Sequence, residues 1–336
     1  MFYEPYDKKK KGRGRAPEPE VTRRGCLGRL VWFGCKLLFK LAILALVLAV
    51  IAYALPPGLF LVEPESDLSI QANLPDSRVN VLLLGVDMLR EGAQRSDTII
   101  ICSIGYRSVK LVSVLRDTVV DIPGYGRSRV NAAYAHGGAE LAMKTINENF
   151  GLNISKYAVA DYMTLAKFVD AVGGVELVIS EEELAHINYN TRAVFGDAAS
   201  EEAMGYEIAP MTEYSKDGET PVRLNGVQAL GYARIRKLDS DFVRTYRQRK
   251  ILGAALESFR KNLWKPWTYS RLFELLNYMD TNLGIVEMLS LGTKAVAGGG
   301  VDQLRVPVEG SYTDSGSTIE IDSAANRQAI YDFLYG

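Results

Sequence analysis

The run Leu41–Leu55, LAILALVLAVIAYAL, holds no charged residue and follows a dense block of basic ones. A bilayer span needs roughly 20 apolar residues, and residues 37–57 reach that length if Lys40 snorkels to the headgroups. Pro56, Pro57 and Gly58 then break the helix. A cleaved signal peptide is the competing reading. It has a short charged region and a small-residue cleavage site after the apolar core, whereas here a long tail precedes the core and Ala52-Tyr53-Ala54 is a poor cleavage site. The tail, residues 1–36, carries Lys8, Lys9, Lys10, Lys11, Arg13, Arg15, Arg23, Arg24, Arg29 and Lys36, against only Glu4, Asp7, Glu18 and Glu20. The positive-inside rule keeps that tail in the cytoplasm and puts Glu63, Glu65 and Asp67 outside. The expected localisation is the cell membrane, single-pass, with an extracytoplasmic body. This topology accounts for the basic tail without nucleic acid, and the whole chain, at net charge -1, has no polyanion-binding signature.

Beyond a linker at residues 58–78, the chain reads as one α/β domain over 79–336, with a mixed sheet between helices. VNVLLLG (79–85), TIIICSI (98–104) and VKLVSVL (109–115) are short apolar runs typical of strands covered on both faces. Gly105–Ser108 is short enough to close a hairpin between the last two. Helices are predicted over 139–150 and 164–172, a strand over 175–179, and an irregular acidic surface excursion with a hairpin or short helix over 181–222. A helix over 241–261, another near 283–297, strands over 304–310 and 317–322, and a last helix over 325–335 complete the reading. Cys102 is the one cysteine of the body, so no intramolecular disulfide forms there, and within TIIICSI it reads as a small buried hydrophobe.

The hairpin has a chemical consequence. The start of one strand and the end of its partner share one sheet edge, so Arg95, Ser96 and Asp97 meet Arg116 and Asp117 there. Asp87, just past the end of the first strand, joins them. A second group lies in YARIRKLDSDFVRTYRQRK (232–250). Arg234 and Arg236, two apart, point the same way in extended chain. Asp241 suits a helix N-cap, and Arg244, Arg247 and Gln248 follow on one helix face; Arg249 and Lys250 read as solvated. Carboxylates for a divalent metal and guanidiniums for phosphate oxygens are the ingredients of phosphoryl transfer, which depends mainly on positioning and charge neutralisation. Hard oxygen ligands favour Mg²⁺ or Mn²⁺ over zinc, and His136 and His186 with one cysteine make no zinc set. No G-x-x-x-x-G-K-[ST] loop or G-x-S-x-G elbow occurs.

These residues resemble the LytR-CpsA-Psr family from about Val79 to Lys250. The blocks are VNVLLLGVD (79–87), RSDT (95–98), LRDT (115–118), GYGRSRVNAAYAHGG (124–138), DAVGGVEL (170–177), LNGVQALGYARIR (224–236) and DSDFVRTYRQ (239–248). Val86, Leu115 and Arg129 depart from the commoner Ser, Pro and Lys, without loss of an acidic or cationic group. The resemblance implies a three-layer α/β/α sandwich with a polyprenyl pocket. It implies ligation of a polyprenyl-pyrophosphate-linked glycopolymer, such as teichoic acid or capsule, to peptidoglycan, with side pyrophosphatase activity. Asp87 and Asp97 match the metal-binding aspartates. Arg95, Arg116, Arg234, Arg236 and Arg244 match the pyrophosphate-contacting arginines, and Asp241 an essential acidic position. Arg247, Gln248, Asp117 and Arg129 are further candidates. A plain polyprenyl-pyrophosphate phosphatase and a non-catalytic regulator that binds lipid-linked saccharide are the rival readings.

Overall fold

A computed structural model describes residues 67–336, except Ala72, Asp76, 87–94, Tyr106, Arg107, 236–240, Trp264 and Gly298. The basic tail and the segment 37–57 lie outside the described residues, among which no helix is long and apolar enough to cross a membrane.

The chain opens with three strands, β1 (Arg78–Val86), β2 (Ser96–Gly105) and β3 (Ser108–Val114), and the small hairpin β4 (Val119–Ile122) and β5 (Gly126–Arg129). It continues through α1 (Ala132–Phe150), β6 (Lys156–Ala160), α2 (Tyr162–Ala171), β7 (Val175–Leu177), α3 (Glu181–Phe195) and α4 (Ala198–Met204). Then come β8 (Val222–Leu224), α5 (Gly226–Ala233), α6 (Asp241–Asn262), α7 (Pro266–Leu275), β9 (Asp280–Thr281) and α8 (Ile285–Ala297). The last elements are β10 (Val301–Val306), β11 (Tyr312–Asp314), β12 (Ile319–Ile321) and α9 (Ser323–Tyr335).

Six strands form the central sheet in the order β10-β3-β2-β1-β6-β9. β2 and β3 pair as the expected antiparallel hairpin, with Gly105 opposite Ser108. β1 runs antiparallel to β2 but parallel to β6, and β10 runs parallel to β3, so the sheet is mixed. Side chains alternate between its faces. Leu82, Leu84, Ile99, Ile101, Val112 and Val114 pack with Met143, Ile146 and Phe150 of α1 and Ile330 and Leu334 of α9. Leu83, Ile100, Leu111 and Val109 pack instead with Leu252 and Leu256 of α6 and Ala295 of α8. Both faces are therefore packed, the second less completely since Leu83, Cys102 and Ile104 are half-buried, which is why these strands read as continuous apolar runs.

Three expectations need correction. The segment after Ser180 holds more than a hairpin or short helix: two helices, α3 and α4, precede its irregular part. Ser180 accepts from the Glu183 amide, the Glu183 carboxylate accepts from the Ser180 amide, and this capping box starts the 15-residue helix α3. The predicted linker ends earlier, because Leu68 is buried in the core. Asn147 of α1 donates to the Leu68 and Ile154 carbonyls, each at 2.9 Å, and accepts from the Ile154 amide at 2.8 Å. The Gln71 amide adds a bond to the Leu152 carbonyl. Finally, α1 begins seven residues before the predicted helix and is broken at Gly138, whose φ of 63° only glycine adopts cheaply.

Candidate active site at the carboxyl ends of four strands

β1, β3, β6 and β10 run in one direction, so their carboxyl ends share an edge with the start of β2. Crevices outside the carboxyl ends of strands are where open α/β sheets bind ligands. β1 ends at Val86, paired with Ser96 through an irregular register. Asp87, next in sequence, lies outside the described residues.

Asp97 and Arg116 meet as expected. Arg116 Nη1 donates to Asp97 Oδ1 at 2.9 Å, and its Nε donates to Asp117 Oδ2 at 3.2 Å. Arg129, brought in by β5, donates to Asp117 Oδ1 at 3.3 Å. Acid and base thus alternate along Asp97, Arg116, Asp117 and Arg129, with side chains between 23% and 36% exposed. The backbone of this turn is pinned from three sides. The Leu115 amide bonds the Val306 carbonyl at 3.0 Å, the Asn131 amide bonds the Arg116 carbonyl at 3.3 Å, and the Ile319 amide bonds the Asp117 carbonyl at 2.9 Å. Arg116 is therefore presented from a fixed main chain. Arg95 stands exposed at the same edge.

The second group divides. Arg244, 3% exposed, sends Nη2 to the Asp97 carbonyl at 3.5 Å and so joins α6 to the edge. Arg234 does not sit in extended chain; it caps the C-terminus of α5 with φ -95° and ψ 1°. Its guanidinium lies 4.1 Å over the ring of Tyr162, which follows β6 at the same end of the sheet. Among the described residues, the buried Arg234 Nη1 has no hydrogen-bond partner. Arg247 points elsewhere, pairing through Nε with Glu183 of α3 at 3.0 Å. Burial, and then the Glu183 charge, push the neighbouring Tyr232 hydroxyl up to about 12. Gln248 is half-buried. Arg236 and the Asp241 side chain lie outside what is described.

Arg249 and Lys250 correct the expectation of solvated residues. Arg249 is 6% exposed and hydrogen-bonds Ser113 of β3 and Gln303 of β10. Lys250 is half-buried, with Nζ 3.4 Å from Tyr232 Oη. The cause is that α6 is packed on two sides, with Leu252 and Leu256 against the sheet and Ile251 and Ala255 in a second core with α2, α3 and α5. Sequence reasoning missed Glu183 as a partner for Arg247, although Ser180-x-x-Glu183 carried the signal for its helix. It also gave no sign of β6, whose end places Tyr162.

Among the described residues no group of three or more His, Cys, Asp or Glu side chains gathers to hold a metal ion. The described donors at the edge are carboxylates, hard oxygen ligands that suit Mg²⁺ or Mn²⁺ in kind.

A family model described as LytR_cpsA_psr matches residues 62–332. The regulatory protein MsrR of Staphylococcus aureus is 32% identical over 277 residues, covering 77% of this chain and 75% of that protein. The polyisoprenyl-teichoic acid–peptidoglycan teichoic acid transferase TagU of Enterococcus faecalis is 35% identical over 196 residues, 56% of each chain. Among solved structures, TagT of B. subtilis superposes with a TM-score of 0.57 at 19% identity, covering 81% of this chain and 93% of that one. A TagT structure described as holding octaprenyl pyrophosphate lipid gives 0.56 at 20% identity, covering 81% and 92%. At these identities the structures show a shared fold.

Proposed function

The chain belongs to the LytR-CpsA-Psr family, and from that premise we propose that it is a phosphotransferase that moves a polyprenyl-pyrophosphate-linked anionic glycopolymer onto peptidoglycan. The observation that carries this reading is the alternating row of Asp97, Arg116, Asp117 and Arg129 at the carboxyl ends of the strands, reached by Arg244 from α6. Arg234 Nη1, without a partner among the described residues, supports it, since a buried donor without an acceptor is costly and a phosphate oxygen satisfies it. TagU is named for the same class of transfer.

In this mechanism a hydroxyl of the acceptor glycan attacks the polymer-side phosphorus. The pyrophosphate P–O bond breaks, polyprenyl phosphate leaves, and the hydroxyl proton passes to a carboxylate, for which Asp241 is the candidate. Arg116 and Arg244 bind phosphate oxygens, with Arg95, Arg234 and Arg236 completing the grip on the pyrophosphate. Fork-shaped guanidiniums suit this task better than ammonium groups. Asp117 and Arg129 hold Arg116 in place. Asp87 and Asp97 would hold Mg²⁺ or Mn²⁺, which supplies neutralisation of the developing phosphate charge. We further read residues 37–57 as a membrane anchor that keeps the domain outside the cell beside its lipid carrier.

The test is mass analysis of wall material after full-length protein in detergent is mixed with lipid-linked polymer and peptidoglycan. Polymer joined to glycan is the expected result. Polymer phosphate freed into solution instead identifies a phosphatase. No product of either kind identifies a lipid-binding regulator, the reading that the name of MsrR favours. For the anchor, a reporter fused after Gly336 is expected to work only outside the membrane and one before Met1 only inside; the reverse pattern ends that reading.

A further inference from the structure

On the α6 face of the sheet, at the same strand ends, lies positive charge that no described carboxylate balances. The almost fully buried Arg249 gives its Nη1 to Ser113 Oγ and its Nε to Gln303 Oε1 at 3.1 Å, both neutral. Arg305, half-buried near the end of β10, gives Nε to the Pro307 carbonyl at 3.3 Å, again neutral. Burial, and then the charge of Arg305, push Arg249 down to about 10, so its guanidinium remains charged at neutral pH. Register sets Arg305 opposite Ser113, the residue whose hydroxyl Arg249 holds. The two cations therefore share one corner of the sheet, and Arg116 follows three residues after Ser113 on the neighbouring strand.

Aromatic rings complete this corner. The Arg305 guanidinium lies 4.5 Å over the ring of Phe242, the residue after Asp241, and Phe242 packs against Tyr312 of β11 at 5.7 Å. Tyr312 is half-buried. Burying a guanidinium without a counter-charge is expensive, and replacing it by an apolar side chain commonly stabilises a fold. Retention of Arg249 is thus poorly explained by stability, and an incoming anion supplies what is missing. Guanidiniums beside an aromatic face suit an anion carried on a sugar ring.

We propose that Arg305, Arg249, Phe242 and Tyr312 form a second anion subsite, which takes a phosphate of the saccharide chain next to the one being transferred. Arg305 touches the phosphate, Arg249 acts as a positioning charge behind it, and Tyr312 takes the sugar face. The subsite rests on the proposed transferase reading only for which phosphate arrives; binding itself is measurable without turnover.

The experiment is calorimetric titration of the full-length chain in detergent with N-acetylglucosamine 1-phosphate and, separately, inorganic phosphate. Arg305→Gln is expected to weaken both by about tenfold, the loss of one charge-assisted hydrogen bond. Tyr312→Ala is expected to weaken the sugar phosphate alone. Arg249→Met is expected to weaken both severalfold while raising the thermal unfolding midpoint, a combination that a purely structural arginine does not give. Arg116→Gln is expected to abolish transfer while leaving the Arg305-dependent part of binding, so loss of the transferase reading and loss of the subsite are told apart. Parent affinity in Arg305→Gln overturns the proposal. So does Arg249→Met that melts earlier with affinity untouched, which makes Arg249 a tether. Equal loss of both ligands in Tyr312→Ala removes the sugar from the proposed ligand.

Discussion

Arg116 and Arg247 are both arginines beside a carboxylate, yet they stand in opposite surroundings. Arg116 sits between two acids on a pinned turn with 23% of its side chain in contact with solvent. Arg247 is sealed between α6 and α3 with 5% exposed and pairs with Glu183, itself 17% exposed. Water softens the charges at the first place, so its acids and bases can shift partners when a phosphate enters at little energetic cost. At the second place, desolvation makes any unpairing expensive, so the pair is held as a joint between helices. A motif that lists both as phosphate ligands treats as equal two residues that burial has separated.

The largest effect is expected at the wet edge. Arg116→Ala should lower transfer by roughly 10²–10³-fold, the scale for losing one preorganised electrostatic group, with the thermal midpoint little changed. Lys at that position should recover little, since an ammonium lacks the fork. Turnover that survives Arg116→Ala would make the edge structural and erase the contrast. Next comes the dry joint. Arg247→Ala strands the Glu183 carboxylate and should cost about 2–3 kcal/mol in denaturant unfolding. A loss of phosphate affinity at unchanged stability would instead return Arg247 to the ligand set.

A buried acid sharpens the comparison from the other side. Asp170 accepts from the Gly226 amide at 2.7 Å and from the Tyr206 hydroxyl at 2.8 Å, yet burial dominates and raises its carboxyl above the ordinary range. The folded state then holds this proton more tightly than the unfolded chain. Its contribution is fully present below the unfolded pKa and is lost as pH rises through the raised folded value. Stability measured upward from pH 4 should decline more steeply in the parent than in Asp170→Asn; identical slopes would remove Asp170 from the account. The smallest effect belongs to Arg127, which pairs with Glu320 while 60% exposed. Arg127→Ala should change stability by at most ~1 kcal/mol.

The parts of this fold that the sequence shows plainly are those buried on both faces. VNVLLLG and TIIICSI are packed against helices on both sides, so their apolar runs are unbroken and their ends stand out. The Asp97–Arg116 contact follows from that hairpin alone. The β6 strand, KYAVA, is short, opens with a lysine, and gains its place only by pairing with β1, about 75 residues earlier. No local pattern reports such a partner. Acidic composition let α3 be read only as a short helix or hairpin in an excursion, although the capping box that starts it was present in the letters. The two sides of α6 were hidden for a related reason. The stripe Leu252, Ala255, Leu256 and Phe259 marks a buried side of α6 but not that it bridges two cores, so Arg249 looks solvated until the strands beneath it are known.

The clasp that Asn147 makes on the Leu68 carbonyl, seconded by Gln71 on Leu152, also has a mechanical meaning. A pull on the amino-terminal end of the domain meets these bonds first. What lies behind them is β1, paired from Arg78 to Val86 with β2 on one side and from Val81 to Gly85 with β6 on the other. A strand drawn along its own axis from the middle of a sheet loads both ladders in shear, so many hydrogen bonds resist together where peeling breaks them singly. Tension on the amino-terminal end of the described domain is thus taken first by the clasp and then by the site-bearing sheet as a whole.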